Sequence, residues 1–217
     1  MTTDTSTRTD GERVPRRQAD KFAERRRQLA ESALATLSEL GYARTSLRDI
    51  AYHSGFTHGV LHYYFRDKAD LIAQGVRQYN ERCVTRYDDI LATATTADEL
   101  REGFALRMAD TLLNETEQHR LWIDLRTQSL FDPSFRDAIV EIDAALEQMI
   151  WKILTRYAEL DGMTLAVSPP FAYALFDGIF QMALVSHIGG DENATDTMTG
   201  QINTALALLK AGAGVTV

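Results

Sequence analysis

The stretch RTSLRDIAYHSGFTHGVLHYYFRDKADLI, residues 44–72, decides the reading of this chain. Ser46 followed three residues later by Asp49 is the signature of a capped helix start. The short helix it opens has Leu47, Ile50 and Ala51 on one face, and Gly55 stops it. Thr57 then caps a second short helix, whose buried side is Leu61 and Phe65, one turn apart. Asp67, with Asp70 in the reciprocal position, starts the next helix. Two short helices, Ser46–Ser54 and Thr57–Tyr64, joined by a tight glycine turn, form a helix-turn-helix pattern.

Upstream, Phe22, Leu29, Ala33, Leu37 and Leu40 recur at helical spacing, so a first helix is expected from about Lys21 to Leu40, with Gly41 as its stop. Packed on the short pair, it would give a core of Leu34, Leu37, Leu47, Ile50, Phe56, Leu61 and Phe65. That core would fix the second short helix and leave Thr57, His58, Gly59, His62 and Tyr63 outward, the geometry of an element that enters a major groove. Gly59 removes bulk where a backbone approaches closely. Tyr63, Tyr64 and Phe65 are successive, so they cannot all face one core.

Charge divides along the chain. Its net charge is −8, but residues 1–68 carry 12 Lys/Arg against 9 Asp/Glu, and residues 69–217 carry 11 against 22. A polyanion meets the local patch, not the sum, so the acidic total does not exclude nucleic acid. The densest basic run is RRQADKFAERRR, Arg16 to Arg27. Residues 1–17 have no apolar period and read as a disordered basic arm. Residues 18–68 then form the helix-turn-helix domain and 69–217 a helical body, with the boundary inside the fourth helix.

Beyond residue 68 the pattern stays helical and offers no strand of convincing length. The fourth helix is expected to run as far as Ile90. Further helices follow over about 97–114, 117–131, 133–160, 169–188 and 194–210, about nine in all. Asp132-Pro133 and Ser168-Pro169 each place a capping side chain before a first-turn proline. The apolar segment Phe171 to Ile188 is interrupted by Asp177, Gln181 and His187, so it reads as a buried helix and not a membrane span. The single cysteine, Cys83, cannot form an intrachain disulfide, which fits a reducing compartment. The N-terminus lacks the apolar core of a signal peptide.

No catalytic constellation is present: there is no glycine-rich phosphate loop, nucleophile elbow or zinc-hydrolase histidine pair, and no cofactor is expected. His58 and His62 are four apart and could bracket a metal, but no third ligand sits at a convincing spacing, so none is expected.

Residues 44–72 resemble the DNA-binding signature of the TetR family of bacterial repressors. Ser46, Ile50-Ala51, Gly55-Phe56, Leu61 to Phe65 and Lys68 fall in its order. The run FDGIFQMALV, residues 176–185, looks like the choline-sensor-type subgroup. The resemblance implies an all-α fold: a three-helix DNA-binding domain followed by an effector-binding and dimerising body. It implies that Thr45 and Ser46 meet phosphate, that Tyr64 and Lys68 clamp phosphate across the groove, and that His58, Gly59, Val60, His62 and Tyr63 face bases or sugar edges. Arg16, Arg17, Arg25, Arg26 and Arg27 would add backbone or minor-groove contacts. The chain departs from the family where His58 stands for a frequent lysine and His62 for a frequent tyrosine.

The resemblance further implies a small-molecule cavity in the body. Phe104, Met108, Trp122, Met149, Tyr173, Phe176 and Phe180 are its apolar candidates, with Arg126 and Asp177 as polar anchors and Gln128 and Gln181 beside them. Asp177 lies inside an otherwise apolar helix and needs a partner. The last two helices are expected to pair with a second copy. The function implied is a cytoplasmic, nucleoid-associated repressor released from a palindromic operator by an effector. An activator or ligand-independent regulator of the same fold is the alternative, and a helical binding protein or enzyme without DNA function the remote one.

Overall fold

A computed structural model describes residues 10–42 and 45–211, with side-chain surroundings for 18–42 and 45–209. The described residues form α1 (Asp10–Leu40), α2 (Leu47–Ser54), α3 (His58–Tyr64), α4 (Lys68–Cys83), α5 (Asp88–Thr93), α6 (Ala97–Asn114), α7 (Thr116–Gln128), a 3-10 turn (Pro133–Phe135), α8 (Arg136–Asp161), α9 (Pro169–Ile188) and α10 (Ala194–Ala211). No strand occurs among them. The chain divides into two compact units, Met1–Gly75 and Val76–Val217, so the division falls within α4.

In the first unit, one face of α1 (Leu29, Ala30, Ala33, Leu34, Leu37) meets Ile50 and Ala51 of α2, Leu61 of α3, Phe65, and Leu71 and Ile72 of α4 in a solvent-excluded core. Leu47 and Phe56, expected inside it, are only half-buried. The local signals act as expected. The Ser46–Asp49 capping box is formed, and Gly55 ends α2 at φ 70, a conformation that costs an L side chain but not glycine. Gly75 lies at a close approach: a Cβ there would lie 3.0 Å from the Ala30 carbonyl oxygen, so a side chain would require the α1 backbone to give by a few tenths of an ångström.

Helix α1 begins at Asp10, eleven residues before the expected Lys21. Residues 10–17 are therefore its first turns and not part of a disordered arm; residues 1–9 lie outside the described residues.

The second unit is a bundle with one contiguous core. Leu100, Phe104, Met108 and Leu112 of α6 pack with Ile150, Ile153, Leu154 and Tyr157 of α8, Phe176 and Leu184 of α9, and Met198, Ile202 and Leu206 of α10. Helix α9 lies against α8 and α10. It has the length and apolarity of a membrane span, yet its Asp177 and Gln181 are hydrogen-bonded partners inside the bundle. Its opposite face leaves Phe171, Met182, Val185 and Ile188 exposed.

Other expected boundaries move as well, among them the end of α7, at Gln128 and not 131. The fourth helix stops at Cys83 and α5 restarts at Asp88. Arg86, in the break, turns inward to donate to Thr111 and Glu115, both at 2.6 Å. A partly buried charge needs such partners, and here they lie across the bundle. Pro133 opens a 3-10 turn, not α8 itself, with Asp132 accepting the Ser134 N–H. Before Pro169, Ser168 takes the N-cap position but makes no side-chain capping bond.

Candidate nucleic-acid interface and ligand cavity

Helix α3 is held from below and open above. Thr57 accepts the Val60 N–H at its start, and Leu61 and Phe65 are buried beneath it. His58, Gly59, His62 and Tyr63 are exposed together, Tyr63 at 72%, with Val60 half-buried at their edge. The Nε2 atoms of His58 and His62 lie 3.2 Å apart, so one imidazole donates to the other. No group of three or more His, Cys, Asp or Glu side chains suited to a metal occurs among the described residues.

The flanking residues separate into two kinds. Ser46 is exposed at the α2 N-terminus; its hydroxyl accepts the Asp49 N–H, and its own N–H donates to the Asp49 carboxylate. That bonding holds the Asp49 carboxyl below the usual range. Thr45, by contrast, is buried at 4% exposure and its hydroxyl donates to the Gly41 carbonyl at 2.6 Å. Its side chain thus secures the turn before α2 instead of standing on the open face, because the Gly41 oxygen is the partner within reach.

Tyr64 is half-buried, with its ring centroid 4.7 Å from Phe22 of α1, and Tyr63 stands edge-on to the same ring at 5.9 Å. Sequence reading placed Phe22 on the core stripe, but it lies at the surface and braces the two tyrosines. The signal was available: Phe22 is a lone aromatic in a polar run. The Lys68 ammonium donates to the Tyr42 carbonyl at 2.5 Å and sits 3.7 Å from the centre of the Tyr42 ring. Arg26 is engaged within the unit, bonded to Asp70 at 2.6 Å and over the Phe65 ring. Arg25 lies over Phe56 and Arg27 pairs with Glu24. The side chains of Arg16 and Arg17 lie outside the described residues.

The second unit holds a cavity of about 650 Å³, counting its open mouth. Of the residues read from sequence, Met108, Trp122, Met149, Tyr173, Phe176, Asp177, Phe180 and Gln181 line it. Phe104 does not: it is a packed core residue, edge-on to both Tyr87 and Phe176. Arg126 does not line it either. It is drawn into ion pairs with Asp177 at 2.6 Å and Asp143 at 2.9 Å. Gln181 donates to the same Asp177 oxygen, and Tyr173 donates to Asp143. The partner that Asp177 required is therefore internal. Gln128 hydrogen-bonds Asp124 on its own helix.

The lining includes residues that sequence reading missed: Cys83, Arg86, Tyr87, Thr111, His119, Ile123, Leu146 and Ile150. Arg86 is bound to Thr111 and Glu115, and Glu115 also accepts from Tyr79. His119, stacked on Phe180 at 4.6 Å, has a shielded Nε2 with no partner. Burial, with the charge of Arg86 adding to it, pushes this imidazole down to about 4 from 6.5, against the pull of Glu115. The unfolded chain then holds the proton between these two values and the folded chain does not. Stability should fall as pH drops from about 6.5 to 4, by up to about 3 kcal/mol at roughly 1.4 kcal/mol per pKa unit. In His119→Phe this part of the acid loss should vanish, as read by urea denaturation at pH 7 and pH 4.5. An unchanged pH dependence would contradict the burial.

Residues 29–74 match the profile of the family described as bacterial regulatory proteins, tetR family. The HTH-type transcriptional repressor KstR2 of Mycolicibacterium smegmatis is 26% identical over 52% of this chain and 69% of its own length. Its counterpart in Mycobacterium tuberculosis is matched over 60% of its length. The transcriptional regulator FadR of Bacillus subtilis, solved with stearoyl-CoA, superposes with TM-score 0.64 at 21% identity, over 85% of this chain and 97% of that one. At that identity the likeness shows the fold alone.

Proposed function

We propose, from the premise that this chain belongs to the tetR family of bacterial regulatory proteins, that it represses transcription from a palindromic operator and is released by a small molecule. The observation that carries the reading is the construction of α3. Leu61 and Phe65 are locked below it, while His58, Gly59, His62 and Tyr63 share one open face. An element so held reads base edges with little entropy left to lose. Val60 and Thr57 complete that face. Ser46 at the α2 N-terminus, Tyr64 on its Phe22 brace and Lys68 over Tyr42 supply the phosphate contacts, with Thr45 acting through the turn it secures.

A palindrome needs two copies. The exposed apolar residues of α9 (Phe171, Met182, Val185, Ile188) and Leu208 of α10 form a face that favours packing on a second chain. Two recognition helices would then stand about one DNA turn, roughly 34–36 Å, apart. Helix α4 contributes to both units, and its Cys83 lines the cavity. A ligand that binds one position of α4 more tightly than another would shift that spacing. The effector acts only through this difference.

The experiment is a gel shift on the chain's own upstream DNA with Tyr64→Ala and Lys68→Ala. Each should weaken binding about tenfold, the scale of one charge-assisted phosphate contact of about 1.5 kcal/mol, and Lys68→Ala should reduce the salt dependence by about one ion. Wild-type affinity in both variants would refute these assignments.

A further inference from the structure

We infer that the cavity of the second unit takes a neutral, mainly apolar molecule ending in one head group that both donates and accepts a hydrogen bond, such as an alcohol. This rests on the sensor reading above and narrows it.

Two observations carry it. The charged groups at the cavity are already satisfied within the protein. Asp177 is bonded by Arg126 and Gln181, both at 2.6 Å, and Arg86 by Glu115 and Thr111, also at 2.6 Å. A cationic head would have to break the Arg126–Asp177 pair to reach a carboxylate. An anionic head would have to strip Arg86 from Glu115. Either leaves a desolvated charge behind, a cost that a single new contact does not offset.

The neutral polar atoms are in the opposite condition. His119 Nε2 and Trp122 Nε1 are buried without a partner. Both residues line the main cavity, and both also line a smaller adjoining one. Asn80, on the wall of the smaller space, has an unpartnered buried Oδ1. Native interiors rarely leave such groups unsatisfied. The indole can only donate and the amide oxygen can only accept. The imidazole is held neutral by its burial. A hydroxyl both donates and accepts, so it is the smallest neutral group suited to both kinds of demand, with the apolar remainder of the molecule against Met108, Met149 and Phe180.

The test is calorimetric titration of the full chain with 1-octanol, 1-decanol and 1-dodecanol, and with decanoate and decyltrimethylammonium as charged partners of matched length. One alcohol per chain should bind, at least about tenfold more tightly than either charged analogue. Trp122→Phe and Asn80→Leu, checked for folding by circular dichroism, should each weaken alcohol binding about fivefold to tenfold, the worth of one hydrogen bond. Equal or tighter binding of decanoate or decyltrimethylammonium overturns the ligand class and leaves the sensor reading intact. No binding of any alcohol overturns it as well. Retained DNA retardation in the same preparation would then show that the DNA half of the proposed function stands apart from that failure.

Discussion

Phe176→Ala is expected to destabilise the second unit by about 3–5 kcal/mol, the usual cost of emptying a buried phenylalanine site. Phe176 is 1% exposed. Its ring stands 5.5 Å from Phe104, and Phe104 stands 5.3 Å from Tyr87, so one truncation unsupports an aromatic chain running from α9 through α6 to the turn between α4 and α5. The site cannot close easily over the loss, because Phe176 already borders the cavity and its removal enlarges a void. Urea denaturation followed by circular dichroism should show a lower midpoint with an unchanged slope. A cost below about 1 kcal/mol would mean that this helix is not packed as described.

Phe65→Ala should have an effect of the same size, about 3–5 kcal/mol, on the first unit. Phe65 is 2% exposed, its N–H closes α3 on the Leu61 carbonyl, and its ring lies 5.0 Å beneath the Arg26 guanidinium. Losing it frees α3 from its support, so DNA retention should disappear together with the stability. Tyr63→Ala is the informative contrast. With Tyr63 72% exposed, stability should change by no more than about 0.5 kcal/mol while DNA affinity falls. Equal loss of stability in both variants would contradict the division of α3 into a buried and an open side.

The helix-turn-helix was legible because its information is local. Ser46 with Asp49, Thr57 with Val60, and Gly55 act within four residues, and the apolar period places Ile50, Leu61 and Phe65 without any knowledge of distant partners. What sequence reading missed depends on long-range demands. Just past the end of α4, Arg86 reaches Thr111 and Glu115, 25 and 29 residues away. Thr45 looked like a phosphate contact but is spent on the Gly41 carbonyl. In the cavity, several of the large apolar residues on α6 to α9 recur in the lining. Yet no periodicity separates Phe104, locked in the core, from Met108 one turn on, which lines the space. Arg126 looked like a ligand anchor because its two carboxylate partners lie on other helices. His119 carried no signal beyond its spacing of three from Trp122, and its meaning comes from burial alone.

The most direct measurement of the central claim is selection of bound fragments by the full chain from a random duplex library, followed by anisotropy titration at several salt concentrations. The account predicts enrichment of an inverted repeat with half-sites about one helical turn apart, bound with an affinity that falls steeply as salt rises. Failure to enrich any sequence, or equal retention of all duplexes at moderate salt, would contradict it.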